Sequence, residues 1–161
     1  MKTISMNRKG VFSLVAGIAL SVFFISCTKD NNNNGDNQMY TTSGNASGAQ
    51  QSPPVSTSGT GSLSGTYNAT TNNWQYMVNW TTLSSTASAV EIHGPASSGV
   101  NASLVVALTI STPGLTGSAS GNVTLTEQQE AWLLAGQLYY TVLTATNITG
   151  EIRGQIAASL Q

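Results

Sequence analysis

Large apolar and small polar residues alternate along Trp74-Gln75-Tyr76-Met77-Val78-Asn79-Trp80. On an extended backbone, Trp74, Tyr76, Val78 and Trp80 share one face, a period of two that predicts a half-buried strand. Asn72-Asn73 just before it predicts a tight hairpin back to Leu63–Ala69. Further strands are expected over Ala87–His93, Leu104–Ser111, Gly117–Leu125, Leu138–Ala145 and Glu151–Ala158. Each of these runs is bounded by Gly, Pro, Asn or Ser. One segment follows another rule. Thr126-Glu127-Gln128-Gln129 has the form of a capping box, with Thr126 as N-cap and Gln129 reaching back. Glu127 and Glu130 favour the dipole of the first turns, Leu133 and Leu134 supply an apolar face, and Gly136 supplies a stop. A short helix is therefore expected over 127–135. Short strands at frequent turn signals, with one helix, predict an all-β antiparallel sandwich of immunoglobulin-like type.

The one long apolar run has a different character. Val11 to Ile25 follows Lys2, Arg8 and Lys9, and ends at Ser26-Cys27 before Thr28-Lys29-Asp30. A positive head, a short apolar middle and a small residue before cysteine are the parts of a bacterial lipoprotein signal. The run is short for a membrane-spanning helix, which needs ~20 apolar residues. Plain secretion and a retained anchor are the weaker alternatives. Cys27 is the only cysteine of the chain. As the lipid acceptor and first mature residue it would lose its free thiol, a liability in an oxidising compartment. The expected address is the bacterial cell envelope, lipid-anchored at the outer membrane. Lys29-Asp30 is similar to the short charged signals that send some lipoproteins to the cell surface.

Taking residues 1–26 as the leader leaves 135 of the 161 residues, enough for one domain with a modest core. That part holds Lys29 and Arg153 against Asp30, Asp36, Glu91, Glu127, Glu130 and Glu151, two positive charges against six negative. There is no basic patch, so nucleic acid is not an expected partner. With no second cysteine, packing and sheet hydrogen bonds must hold the fold. Residues 27–38, the lipidated cysteine and the Asn31–Asn34 run behind it, read as a disordered tether. By composition alone, Tyr40–Gly61 also reads as linker, with Pro53-Pro54 as a rigid extended kink.

Candidate chemistry is sparse. His93 is the only histidine, and Arg153 is the only arginine after the leader. Alternation places Glu91 and His93 on one face of their strand, and Glu151 and Arg153 on one face of theirs. If those strands meet, Arg153 could pair with Glu91 or Glu151, with His93 joining. Such a polar cluster more often fixes strand register and satisfies buried charge than performs chemistry. No ligand pair has a recognisable metal spacing, so no metal or other cofactor is expected. No Gly-x-Ser-x-Gly elbow is present, and the helix cap already accounts for Glu127 and Glu130. Trp74, Tyr76 and Trp80 could form a sugar-stacking face, but one strand face at period two is what a core requires.

Two motifs are more specific. They are Glu91-Ile92-His93-Gly94-Pro95-Ala96, and Gly150-Glu151-Ile152-Arg153-Gly154-Gln155-Ile156 preceded by Leu138-Tyr139-Tyr140-Thr141-Val142-Leu143-Thr144. With Pro53-Pro54-Val55 and Gly59-Thr60-Gly61 upstream, they resemble the CHRD family, whose domain was first described in chordin and is common in bacterial secreted proteins. The resemblance spans about 39–158. It implies a β-sandwich comparable to the superoxide dismutase architecture, and an ordered strand over Met39–Gly48 in place of linker, so the domain is expected over 39–161. It implies no settled catalytic activity. The chain departs from the family pattern where histidine is usual at the positions of Glu91 and Leu143, and asparagine at that of Thr141. Of three typical histidines only His93 remains. The expected function is a lipid-anchored, non-catalytic binding or structural module, with the membrane reached through Cys27 and no protein or glycan partner named by the residues. A small metal-dependent or redox enzyme using His93, and a carbohydrate-binding surface module, are the alternatives.

Overall fold

The computed structural model describes residues 38–161. Cys27, the leader and nearly all of the tether lie outside the described residues. Ten strands form one antiparallel sheet: β1 (Met39–Ser47), β2 (Thr60–Asn68), β3 (Asn73–Thr81), β4 (Ala87–His93), β5 (Leu104–Leu108), β6 (Ile110–Thr112), β7 (Gly117–Thr124), β8 (Tyr139–Thr144), β9 (Ile152–Gln155) and β10 (Ala157–Leu160). The helix α1 (Glu127–Leu134) falls between β7 and β8. The strand order is β5-β4-β8-β9-β1-β2-β3-β7-β6, with β10 also on β1. The two ends of that path, β5 and β6, are separated in the chain by Thr109 alone. The sheet therefore curls until it is nearly closed, and the fold is all-β with one short helix, as the periodicity predicts. No helix among the described residues is long and apolar enough to cross a membrane.

Two predicted strands are each divided. Leu104–Ser111 breaks at Thr109, where β5 pairs with β4 and β6 pairs with β7. Glu151–Ala158 breaks at Ile156, whose N–H donates to Leu138 O at 2.9 Å; before it β9 pairs with β8 and, at Arg153, with β1, and after it β10 pairs with β1 alone. In both places one run of chain changes neighbours, a change that residue pattern does not encode. The linker reading of Tyr40–Gly61 is corrected. This stretch forms β1, a 3-10 turn at Gly48–Gln50 and the start of β2. Its small residues serve close packing: a Cβ on Gly44 would stand 2.5 Å from Gln155 O. A polar composition that reads as disorder is here a strand with neighbours on both edges.

The core lies inside the curl. Trp74, Val78 and Trp80 are fully buried and Tyr76 nearly so. They pack with Leu63 and Tyr67 of β2, Val90 and Ile92 of β4, Tyr140 and Val142 of β8, and Ile152 of β9. Burial of each such side chain is worth roughly 1.5–3 kcal/mol. Their polar ends are satisfied, as buried polar atoms must be. Trp74 Nε1 donates to Thr42 Oγ1 at 2.9 Å, Trp80 Nε1 to Gly114 O at 3.1 Å, and Tyr140 OH to Gly44 O at 3.2 Å. The helix begins on the expected capping box: Gln129 N donates to Thr126 Oγ1 at 3.2 Å, and Thr126 N to Gln129 Oε1 at 2.9 Å. Leu133 is buried, and Trp132 and Leu134 pack against the core from partly buried positions.

β8 runs between β4 and β9 and is covered on both faces. Tyr140, Val142 and Thr144 point to the core, yet Tyr139 and Thr141 on the opposite face are also buried. Two irregular segments cover that outer face, the stretch after Gly48 and the loop between β4 and β5. There the candidate site is built.

Candidate functional site: a pocket over the outer face of β4 and β8

Register sets which side chains meet. Glu91 lies opposite Thr141, and Thr141 opposite Arg153; His93 lies opposite Tyr139, and Tyr139 opposite Gln155. All point away from the core, because side chains two apart on a strand share a face. Tyr139, on the middle strand, separates His93 from Arg153. The His93 and Tyr139 rings stack at 5.3 Å between centroids and 13° between planes. The Arg153 guanidinium carbon sits 3.4 Å from the Tyr139 ring centroid.

Each of these groups also holds the loop that follows β4. Arg153 donates from Nη2 to Val100 O at 2.8 Å and from Nη1 to Asn101 Oδ1 at 3.2 Å. Ala102 N donates to Tyr139 OH at 3.1 Å, and His93 Nδ1 faces Ala102 O at 3.0 Å. Asn101 Nδ2 in turn donates to Ser52 O at 2.7 Å, and Gln51 Nε2 to Thr141 Oγ1 at 2.9 Å. The loop and the Pro-Pro-Val segment are thus tied to each other and to the sheet. Arg153 is almost fully buried. Burial lowers its guanidinium pKa, partly offset by the Tyr139 phenol. Two carbonyl-type oxygens and an aromatic face, instead of a carboxylate, accommodate the cation.

These ties leave an open pocket of about 370 Å³ between the Pro-Pro-Val segment and the β4–β8 pair. Pro53, Pro54, Leu143 and Ile148 form apolar walls, and Glu91 and His93 form the polar floor. Glu91 and His93 are in contact, Oε2 to Nε2 at 2.9 Å, with side chains 23% and 17% exposed. Both ring nitrogens of His93 face oxygen acceptors. No second hydrogen bond from a described residue reaches the Glu91 carboxylate.

Glu151 belongs elsewhere. It precedes β9 by one residue, so the strand alternation does not carry it to the face of Arg153. It is fully buried. Its Oε1 accepts from Thr57 Oγ1 and Ser84 N, both at 2.7 Å; its Oε2 accepts from Ser84 Oγ at 2.7 Å and Thr144 Oγ1 at 2.9 Å. Burial raises its pKa, but these four hydrogen bonds to the carboxylate outweigh burial and hold it below the usual carboxylate range. Gly150 before it has φ +119°, and a Cβ there would strike Thr141 Oγ1 and Gln51 Nε2. Only glycine fits.

The four charged candidates are therefore not one cluster. Glu91, His93 and Arg153 share the outer face, with Tyr139 between the histidine and the arginine, while Glu151 ties three loops together. Arg153 pairs with neither glutamate, because asparagine and backbone oxygens of the loop occupy its donors. Gln51, Asn101 and Tyr139 are the contributors that residue-type reasoning missed. Their spacing from His93 carries no signal, although the Pro-Pro-Val and Tyr-Tyr motifs lie beside them. Trp74 and Trp80 are buried, so they offer no sugar-stacking surface. Among the described residues no three of His, Cys, Asp and Glu come together as metal ligands would.

The outer-face residues are those of the two motifs and the Pro-Pro-Val segment, gathered on one all-β domain. A family model described as the CHRD domain matches residues 42–156. The chain belongs to the CHRD domain family. No curated protein and no solved structure matches it significantly.

Proposed function

We propose that this protein is a lipid-anchored, non-catalytic binding module of the bacterial cell envelope, and that it binds through the pocket over β4 and β8. The observation that carries the reading is the division of labour on the outer face. His93 has oxygens at both ring nitrogens, Arg153 and Tyr139 hold the loop, and among the described residues no serine, threonine or cysteine hydrogen-bonds the histidine ring. A general base needs a free nitrogen within reach of a substrate proton. The groups most often used for chemistry are instead engaged in shaping a cavity, which is what a binding module requires. Membership of a family without a settled activity agrees with this. The address rests on the leader and Cys27. Lipid at Cys27 holds the module at the membrane, and the Asn-rich stretch behind it supplies reach.

The test of the address is metabolic labelling with an alkyne fatty acid in a bacterial host. The full chain is expected to take up label and fractionate with membranes, and Cys27→Ala to take up none. Equal labelling of both proteins, or a soluble unlabelled wild type, would overturn the anchored reading.

A further inference from the structure

The lining of the β4–β8 pocket is unbalanced in its hydrogen-bonding character. Gln51 Nε2 and Asn101 Nδ2 each donate to a protein oxygen, and both ring nitrogens of His93 face protein oxygens. No lysine or arginine lines it. The one charged group with unused capacity is the Glu91 carboxylate, which has two oxygens with several lone-pair sites and a single protein partner. Beside it rise the apolar walls of Pro53, Pro54, Leu143 and Ile148, and the Ile148 side chain at the rim is 75% exposed. About 370 Å³ lies at the small end of ligand cavities, which run from roughly 300 to 1,000 Å³.

We infer that this pocket takes an organic cation, an ammonium group on a short aliphatic stem, with the head on Glu91 and the stem against the prolines, Leu143 and Ile148. A ligand that brought only acceptors would have no donor for the Glu91 carboxylate. A neutral apolar ligand would cover the remaining acceptor sites of the Glu91 carboxylate without filling them, which costs more than burying apolar surface returns on so small a ligand. A cation satisfies the open carboxylate oxygen by a charge-assisted hydrogen bond. The net negative charge of the chain after its leader favours the approach of a cation. The inference rests on the binding reading given above. The ammonium group could belong to a free small amine or to a lysine side chain.

The test is a titration followed by amide NMR shifts on the full chain carrying Cys27→Ser, which leaves every described residue unchanged. The probes are n-butylammonium, n-butanol and butyrate at equal ionic strength, and a blocked Gly-Lys-Gly peptide. Butylammonium is expected to shift the amides of Glu91, His93, Leu143 and Ile148 and to bind at least tenfold more tightly than butanol or butyrate. Glu91→Gln, nearly the same shape, is expected to lose that preference. Ile148→Lys, a change at an exposed rim position, is expected to weaken butylammonium by placing a tethered ammonium at the same mouth. Saturable binding of the peptide as well would assign the site to lysine side chains, and binding of butylammonium alone to free amines; either supports the inference. Butanol or butyrate binding in the pocket as well as butylammonium would overturn the cation assignment and leave the binding reading standing. No localised shift with any probe would overturn both.

Discussion

Two glutamates of the same sheet region meet opposite fates. Glu151 is wholly buried and accepts four hydrogen bonds, three from hydroxyls and one from a backbone N–H. Glu91 is partly exposed, has His93 as the one hydrogen-bond partner of its side chain among the described residues, and lines a cavity. A buried carboxylate is tolerated when its lone pairs are filled. Filled, it has nothing left to offer a ligand. The comparison teaches that saturation, more than charge or motif membership, separates a structural carboxylate from one available for recognition.

The largest expected effect comes from emptying the saturated site. Glu151→Gln places an amide N–H₂ among donors and is expected to cost about 3 kcal/mol in denaturant unfolding. The same group makes stability depend on pH. Its folded pKa lies below the ordinary 4.5. Its contribution is therefore complete above that value and is lost as pH falls through the lower folded pKa. In acid titrations of unfolding free energy, the gap between wild type and Glu151→Gln is expected to narrow below pH 4.5; a gap that widened there would contradict the assignment.

Next in size is the loop side of the comparison. Arg153→Met removes two hydrogen bonds and the cation–π contact, with an expected loss of about 2 kcal/mol. Faster hydrogen exchange should be confined to the amides near Val100–Ala102 and the Pro-Pro-Val segment. Uniformly faster exchange would mean that Arg153 supports the whole sheet and does not specifically hold the pocket. Smaller still is the helix cap. Thr126→Ala is expected to cost about 1 kcal/mol, read as a lower unfolding midpoint with an unchanged slope. It leaves both glutamates untouched and serves as the reference for an ordinary local loss.

What could be read from residues alone follows from the range of the physics involved. β3 and the capped helix were legible because period-two alternation and a capping box are local. Ala87–His93 matches β4 end to end for the same reason. The exchange of partners at Thr109 and Ile156 was not legible, since nothing in a short run says which strand lies beside it. The face shared by Glu91 and His93 was legible from alternation. The separation of Glu151 from Arg153 was not, because β9 begins one residue after Glu151 and alternation holds only inside a ladder. Gln51 and Asn101 became visible only once the segments bearing them were folded over β8.

The most direct test of the central claim sets Glu91→Gln and Glu151→Gln side by side in denaturant unfolding. Both substitutions keep shape and remove charge. The account predicts a loss of about 3 kcal/mol for Glu151→Gln and under about 0.5 kcal/mol for Glu91→Gln, whose site is open to solvent. Equal losses in the two proteins would contradict it, because Glu91 would then be as much a part of the framework as Glu151.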